Sequence, residues 1–243
     1  MVKTKGIKAF GKKAYLALTG GVNRTTFDIH GVQVFIPAHI DPRIRYFIAR
    51  GRYENREAEL IRQHLCEGDT VIELGGALGV ISKVIRDQIG DAAQHIVVEP
   101  NPAVLDTCKI NAGHSNTKVV QAAIAYGQTE VLLSQDASLL DNRLVEHPKS
   151  GQLSFSAPTT SLAALHDEIQ QKRFKLVCDI EGAEGDLVRF DAETLSYCDS
   201  IIMEVHAEYL IDRGTTLEEM INQFKALDFK VISMEGNALY LSR

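Results

Sequence analysis

The residues able to do chemistry stand at the ends of short apolar runs. Val71-Ile72-Glu73-Leu74 leads into Gly75-Gly76-Ala77-Leu78-Gly79, and a helical pattern starts at Val80. Glycines at a strand-to-helix turn let a ligand approach bare backbone and meet the N–H groups of the helix start. Glu99 ends the next run, 20 residues after Gly79. Asp179 and Glu181 end a third, and Glu204 with His206 a fourth. Carboxylates so placed accept hydrogen bonds from ammonium or hydroxyl groups, and an imidazole of ordinary pKa takes up a proton near neutrality.

The glycine pattern narrows the ligand. A dinucleotide fingerprint needs G-x-G-x-x-G. Counted from Gly75 the second and third positions are Ala77 and Val80, and counted from Gly76 they are Leu78 and Ile81. That spacing disfavours NAD and an NAD-dependent oxidoreductase. No Lys-Ser or Lys-Thr follows the glycines, so the P-loop pattern is absent too. Glu73 is placed to accept from a ligand ammonium, and Glu99 to accept both hydroxyls of a ribose. Together they fit S-adenosylmethionine, whose cationic groups suit carboxylates that would repel a pyrophosphate. On this reading Glu73, Gly75, Gly76, Ala77, Gly79 and Glu99 bind the cofactor.

Positioning these residues falls to a regular alternation of elements. Strand-like runs at Thr70 to Leu74, His95 to Glu99, Lys118 to Gln121, Lys175 to Asp179 and Ser200 to Glu204 are short and nearly all apolar, as strands buried on both faces are. Helical patterns lie near Val80 to Gln88, Pro102 to Ala112, Ser161 to Gln171, Glu184 to Phe190 and Thr216 to Leu227. The alternation predicts an α/β fold with a doubly wound, mostly parallel sheet. Phe229 to Met234 and Ala238 to Ser242 are separated only by Glu235-Gly236-Asn237, too short a gap for a crossover helix. The seven-stranded sheet should therefore end in an antiparallel hairpin. In such a sheet ligands sit beyond the carboxyl ends of the strands, so Asp179, Glu181, Glu204 and His206 should share one cleft. Phe27 to Ile36, turning at His30-Gly31, predicts a small hairpin ahead of the sheet, and Glu54 to Cys66 has helical spacing. The expected division is an arm and cap over residues 1–57 and a main domain over 58–243. The long stretch 123–173, with strand-like Val131 to Ser134 and Leu153 to Phe155, is expected to shape the site.

The chain has 243 residues, 45% of them hydrophobic, enough for one full core. A net charge of −6 provides no field to gather a polyanion, and nucleic acid is not expected as a partner. No run approaches the ~20 apolar residues of a membrane span. Residues 1–27 carry Lys3, Lys5, Lys8, Lys12, Lys13 and Arg24 and no acid. On a helix Ile7, Phe10, Ala14 and Leu18 would face away from Lys5, Lys8 and Lys12, so residues 1–20 read either as a membrane-surface segment or as a solvated tail. Cys66, Cys108, Cys178 and Cys198 form no C-x-x-C pair. They read as buried thiols in a reducing, cytoplasmic compartment.

Several of these blocks together resemble the FkbM-type S-adenosylmethionine-dependent methyltransferases. The family's D-x-G-A-N-x-G turn is similar to Glu73 to Gly79, and its E-P-N-P segment to Glu99-Pro100-Asn101-Pro102. Its K-x-D-x-E-G-x-E block is similar to Lys175 to Glu184, with two extra residues between Lys175 and Asp179. Its aromatic-Glu pair is similar to Tyr53-Glu54, and its Glu-x-His to Glu204-Val205-His206. Ala77 stands where the family commonly has Asn, and Glu73 where it has Asp. The resemblance spans roughly residues 50 to 210. It implies methyl transfer to a hydroxyl oxygen, commonly of a sugar, glycan or secondary metabolite, and adds Pro100, Asn101, Tyr53, Glu54 and Asp179 to the cofactor residues. His206 is the first choice of general base, oriented by Glu204 or Asp179, with Asp179 the alternative base. Glu181 and His206 should meet the acceptor, and Tyr53-Glu54 could close over the cofactor as a lid. A second arrangement has Asp179, Glu204 and His206 holding Mg²⁺ or Mn²⁺. The opposing functional reading is a module that binds S-adenosylmethionine without turning it over.

Overall fold

The computed structural model describes residues 23–135, 140, 142–145 and 151–243. The basic arm and its helical reading lie outside the described residues. The described chain opens with the expected hairpin, β1 (Thr26–Ile29) and β2 (Val32–Phe35). Helix α1 (Pro42–Ala49) follows, begun by Pro42 and by Asp41 accepting the Arg43 N–H. Next come α2 (Asn55–His64), β3 (Val71–Leu74), α3 (Val80–Ile89), β4 (His95–Val98), α4 (Pro102–Ala112) and β5 (Thr117–Val120). The 123–173 stretch folds into strands of its own, β6 (Ala123–Ile124), β7 (Glu130–Gln135), β8 (Asn142–Leu144) and β9 (Leu153–Thr160), before the short α5 (Leu162–His166). The chain then returns through β10 (Phe174–Cys178), α6 (Glu184–Phe190), α7 (Ala192–Leu195), β11 (Cys198–Glu204), α8 (Ala207–Asp212), α9 (Leu217–Ala226), β12 (Lys230–Glu235) and β13 (Ala238–Ser242).

The main sheet has seven strands in the order β12-β13-β11-β10-β3-β4-β5. Strands β5, β4, β3, β10 and β11 run parallel, and β13 lies antiparallel between β11 and β12. The sheet is thus doubly wound, mostly parallel and closed by a hairpin, as the alternation predicts. Its winding reverses between β3 and β10. The insertion forms a second sheet of order β6-β9-β7-β8 beside that reversal.

Alternation along each strand divides the core in two. Ile72 and Leu74 face α5 to α9 with Leu176 and Met203. Val71 faces the other way, packing with Val80, Val84 and Ile85 of α3 and with Phe27, Ile36 and Ile48. The N-terminal hairpin therefore shares a core with the sheet, and the boundary expected at 57/58 falls inside α2. Three of the four cysteines are buried as expected, whereas Cys66 is exposed because α2 ends at His64 and the chain turns outward. The helix expected over 161–171 stops at His166.

Candidate functional site

The reversal between β3 and β10 is where a doubly wound sheet opens a crevice at its carboxyl edge. Here the glycine turn crosses the tip of β10. Gly75 has φ +93°, and a Cβ on it would stand 1.8 Å from the Asp179 carbonyl oxygen. Gly76 meets β4 and α4 as closely, a Cβ there falling 2.5 Å from Val97 Cγ1. Both glycines are required by the protein's own packing, which brings the turn against the β10 tip, β4 and α4 just ahead of α3. Gly79 leads into that helix in the left-handed region. Asn111 anchors the turn from behind, donating to the Leu78 and Phe35 carbonyls at 2.7 and 2.8 Å.

Glu99, just past β4, is buried and holds both arms of the crevice. Its carboxylate accepts the Ala77 N–H and the Asn101 N–H, each at 2.7 Å. Burial pushes its pKa up, against those two bonds and with the help of Glu73, to about 7. Each oxygen keeps a lone pair beyond the backbone bond it accepts. Glu99, Gly75 and Ala77 border a slot whose other walls are mostly apolar, among them Ala122, Ile124, Leu133 and Leu140, with Asn142, Asp179 and Glu181 also lining it. Pro100 also lines it. Asn101, expected among the cofactor residues, is placed as the cap of α4: its side chain accepts the Ala103 N–H, and Pro102 opens the helix.

Glu73 is placed differently from the sequence expectation. The two-residue period that puts Leu74 on one face of the sheet turns Glu73 to the other, toward α3. There its carboxylate accepts from Ser82 Oγ at 2.9 Å and meets His95 Nε2 at 2.9 Å, with all but 1% of its surface covered. His95 is buried with it. This pair supports the glycine turn from beneath.

Across the glycine turn the slot opens into a cleft of about 380 Å³, bordered by Tyr53, Glu54, Asp179, Glu181, Glu204 and His206. The structure thus gathers every residue expected there. His206 lies just past β11 and is the one cation in this group. Its Nδ1 stands 3.0 Å from Glu184 Oε1, and its Nε2 stands 3.4 Å from Glu181 and 3.9 Å from both Asp179 and Glu204. Burial alone would lower its pKa. The Glu184 hydrogen bond and the Asp179 and Glu181 charges reverse that and push it up to about 10. The expectation of an imidazole titrating near neutrality is corrected accordingly: Glu184, Asp179 and Glu181 favour the imidazolium form of His206 at pH 7. Its orienting carboxylate is Glu184, not Glu204 or Asp179. Glu204 is tied instead to the hairpin through the Asn237 amide.

The carboxylates repel one another. Asp179 is pushed well above the ordinary range, first by desolvation and then by Glu204 and Glu181, with His206 opposing. Glu54 is raised likewise by desolvation and by Glu57, Glu73 and Glu204. Such a cleft favours a cationic occupant. Strain converges on the same place: Glu54, Ala77 and Glu181 hold φ values of 50°, 43° and 52°, and all three border the cleft. Left-handed backbone at residues other than glycine costs roughly 1–2 kcal/mol each and persists where surrounding structure enforces it. For a metal, the donor atoms that converge are those of Asp179, Glu181 and His206, within 4.8 Å of one another. Glu181 thus takes the place expected for Glu204.

Several contributors were missed in the sequence. Glu184 sits on α6, its side chain fully buried beneath His206; the signal for it was the last acid of the Lys175 to Glu184 block. Tyr209 of α8 stacks on His206 with centroids 5.7 Å apart. Ile44 and Phe47 of α1 and Leu140 of the insertion complete the walls, and scattered apolar residues outside the acidic blocks gave no warning of that.

The strand order, with its antiparallel penultimate strand, is that of the Rossmann-like class I methyltransferases. Solved structures of that class resemble the chain. Fibrillarin of Aeropyrum pernix, crystallised with S-adenosyl-L-methionine, is 13% identical over 77% of this chain and 74% of its own, with a TM-score of 0.47. A TehB-like S-adenosylmethionine-dependent methyltransferase from Corynebacterium glutamicum is 11% identical over 82% and 92%, with a TM-score of 0.45. Magnesium protoporphyrin IX methyltransferase from Synechocystis, with bound S-adenosylhomocysteine, is 9% identical over 78% and 81%, with a TM-score of 0.43. No protein-family profile matches the chain, and no curated protein sequence matches it.

Proposed function

We propose that the protein is an S-adenosylmethionine-dependent O-methyltransferase of the FkbM type, acting on a hydroxyl of a sugar, glycan or secondary metabolite. The observation that carries the reading is a buried carboxylate beside an apolar slot, continuous through Ala77 and Asp179 with an acid-lined cleft. Glu99 has lone pairs left for two ribose hydroxyls, and the apolar slot suits a base. Asp179, Glu54 and Glu204 suit the ammonium and sulfonium charges. The resemblance of the Tyr53-Glu54 and Glu204-Val205-His206 blocks supports oxygen as the acceptor atom.

When bound, S-adenosylmethionine supplies an activated methyl group, which passes to the acceptor oxygen as the carbon–sulfur bond breaks and its electron pair stays on sulfur. The chain's own contribution is alignment and proton handling. Alignment of oxygen, carbon and sulfur is worth roughly 7–11 kcal/mol in favourable cases. His206, protonated at neutrality, donates from Nε2 toward the cleft and fixes the acceptor. Asp179 receives the hydroxyl proton, its raised pKa making it a stronger base than an ordinary aspartate. Glu181 flanks the acceptor. Tyr53 and Glu54 stand at the cleft mouth as a lid. Four free thiols suit a reducing cytoplasm.

The test is a radiolabelled-methyl assay with a panel of hydroxylated acceptors, read as labelled product and S-adenosylhomocysteine. Binding of the cofactor with no transfer to any acceptor would leave a binding module, and no binding at all would remove the reading.

A further inference from the structure

We propose that Asp179, Glu181 and His206 form a divalent-cation site at the tips of β10 and β11, with Mn²⁺ the best match. The ion's role in catalysis rests on the methyltransferase reading; its binding does not.

Spacing is the first argument. An octahedral ion with bonds of about 2.0–2.2 Å sets neighbouring donor atoms about 3 Å apart and opposite ones about 4.2 Å apart. His206 Nε2 stands 3.4 Å from Glu181 Oε2 and 3.9 Å from Asp179 Oδ1, inside that range and beyond the usual 2.7–3.2 Å of a hydrogen bond. Glu204 Oε1, at 3.9 Å from the same nitrogen, is held by the Asn237 amide and stays outside this donor set.

The second argument is an acceptor with nothing to accept. Asp179 Oδ1 is sealed from solvent and takes no hydrogen bond, although the rest of its side chain keeps 35% exposure toward the cleft. A buried oxygen left in that state is costly and calls for a ligand.

The third is the imidazole's mounting. Glu184, wholly buried, takes the Nδ1 side at 3.0 Å, which directs Nε2 at the two carboxylates; an entering ion displaces the Nε2 proton to solvent and takes over from it the fixing of the acceptor. A carboxylate behind a histidine is the arrangement that fixes a metal-binding ring. The donors stand at the ends of strands paired in parallel, Cys178 opposite Met203, so their separation is set by the sheet. Two carboxylate oxygens and one nitrogen favour Mn²⁺ over Mg²⁺, which prefers oxygen alone. The adjoining cleft leaves the remaining positions open to oxygens of an acceptor diol, whose hydroxyl such an ion acidifies. Glu204 then becomes the carboxylate next to the acidified proton.

The experiment titrates Mn²⁺ into the full chain, by calorimetry and by loss of the free-ion electron paramagnetic resonance signal, with S-adenosylmethionine titrated separately. One ion per chain is expected, with Glu181→Gln and His206→Gln, as direct ligands, each weakening it by more than the roughly 10- to 100-fold typical of losing an outer-shell partner while circular dichroism stays unchanged. If either variant misfolds, Glu181→Asp should retain the ion with an intermediate affinity. No binding at millimolar Mn²⁺, or equal affinity in the folded variants, overturns the site. Normal Mn²⁺ binding with no S-adenosylmethionine binding would overturn the proposed function and leave the site standing.

Discussion

Replacing Glu99 by Gln changes only the group that joins the glycine turn to the slot. In the native chain the carboxylate accepts two backbone N–H bonds at 2.7 Å and is almost wholly buried. A glutamine amide keeps one acceptor oxygen and turns an NH₂ toward the other donor, so one N–H loses its partner and the ribose contacts proposed for Glu99 would lose their charge. A hydrogen bond to a charged group contributes about 1.5–3 kcal/mol. Losing the equivalent of one such bond weakens binding roughly 10- to 150-fold at about 1.4 kcal/mol per decade. Calorimetry with S-adenosylmethionine and with S-adenosylhomocysteine measures it. Both should weaken equally, because the sulfonium is remote from the ribose. The pH dependence follows from the same residue. Its pKa of about 7 lies above the ordinary carboxyl value, so folding takes up a proton between about 4.5 and 7. The stability Glu99 contributes is therefore greatest below that window and declines as pH rises through it. Cofactor affinity runs the other way, rising with pH up to about 7 as the accepting carboxylate forms, and Glu99→Gln should flatten it. A loss under about threefold, or one confined to the sulfonium form, would refute Glu99 as the ribose acceptor.

Gly75→Ala forces a Cβ to 1.8 Å from the Asp179 carbonyl at a left-handed φ, and should cost about 3 kcal/mol or more in urea unfolding; an unchanged midpoint would show the turn does not press on β10. Glu184→Gln should bring the His206 pKa down from about 10 in a histidine NMR titration. Because that pKa is raised on folding, the stability it contributes is complete below about 6.5 and lost as pH rises through about 10; a value unmoved by the substitution would dismiss Glu184 as the orienting group. Glu73→Gln should destabilise the fold by about 1–3 kcal/mol through Ser82 and His95 while leaving cofactor affinity within about threefold; loss of affinity in a fully folded variant would restore Glu73 as a ligand contact.

The frame was legible because buried parallel strands announce themselves as apolar runs, and because Glu235-Gly236-Asn237 is too short for anything but a hairpin. Glu99, Asp179, Glu181, Glu204 and His206 were legible as acids and a histidine at strand tips, since a strand end projects toward the crevice whatever the side-chain period. Glu73 was misplaced because it lies one residue inside β3, where the period decides the face. Asn101 matched a motif for a reason the motif does not state, since Asn-Pro also starts a helix. The second sheet was only half legible: β9 runs through Pro158, and neither Leu153 nor Ser156 is buried, so its pattern lacks a clean apolar face. The pKa of His206 was out of reach, because it depends on a carboxylate 22 residues away in sequence and 3.0 Å away in space.

Charge and strain lead to one account of the cleft. Asp179 and Glu54 are both raised by desolvation and by neighbouring acids, and Glu54, Ala77 and Glu181 are each held in left-handed backbone. Neither feature stabilises the fold, and both are sustained by what surrounds them: α2 packed on the hairpin core, the glycine turn pressed on β10, and Glu184 sealed under His206. A cation entering the cleft relieves the repulsion without moving the scaffold, so its binding gains from a cost that folding has already met. Neutralising the cleft by Asp179→Asn should therefore stabilise the ligand-free chain while weakening cationic ligands, a pair of opposite shifts that a purely structural carboxylate would not produce. Thermal unfolding with and without S-adenosylmethionine reads both, and a variant less stable in both states would contradict the account.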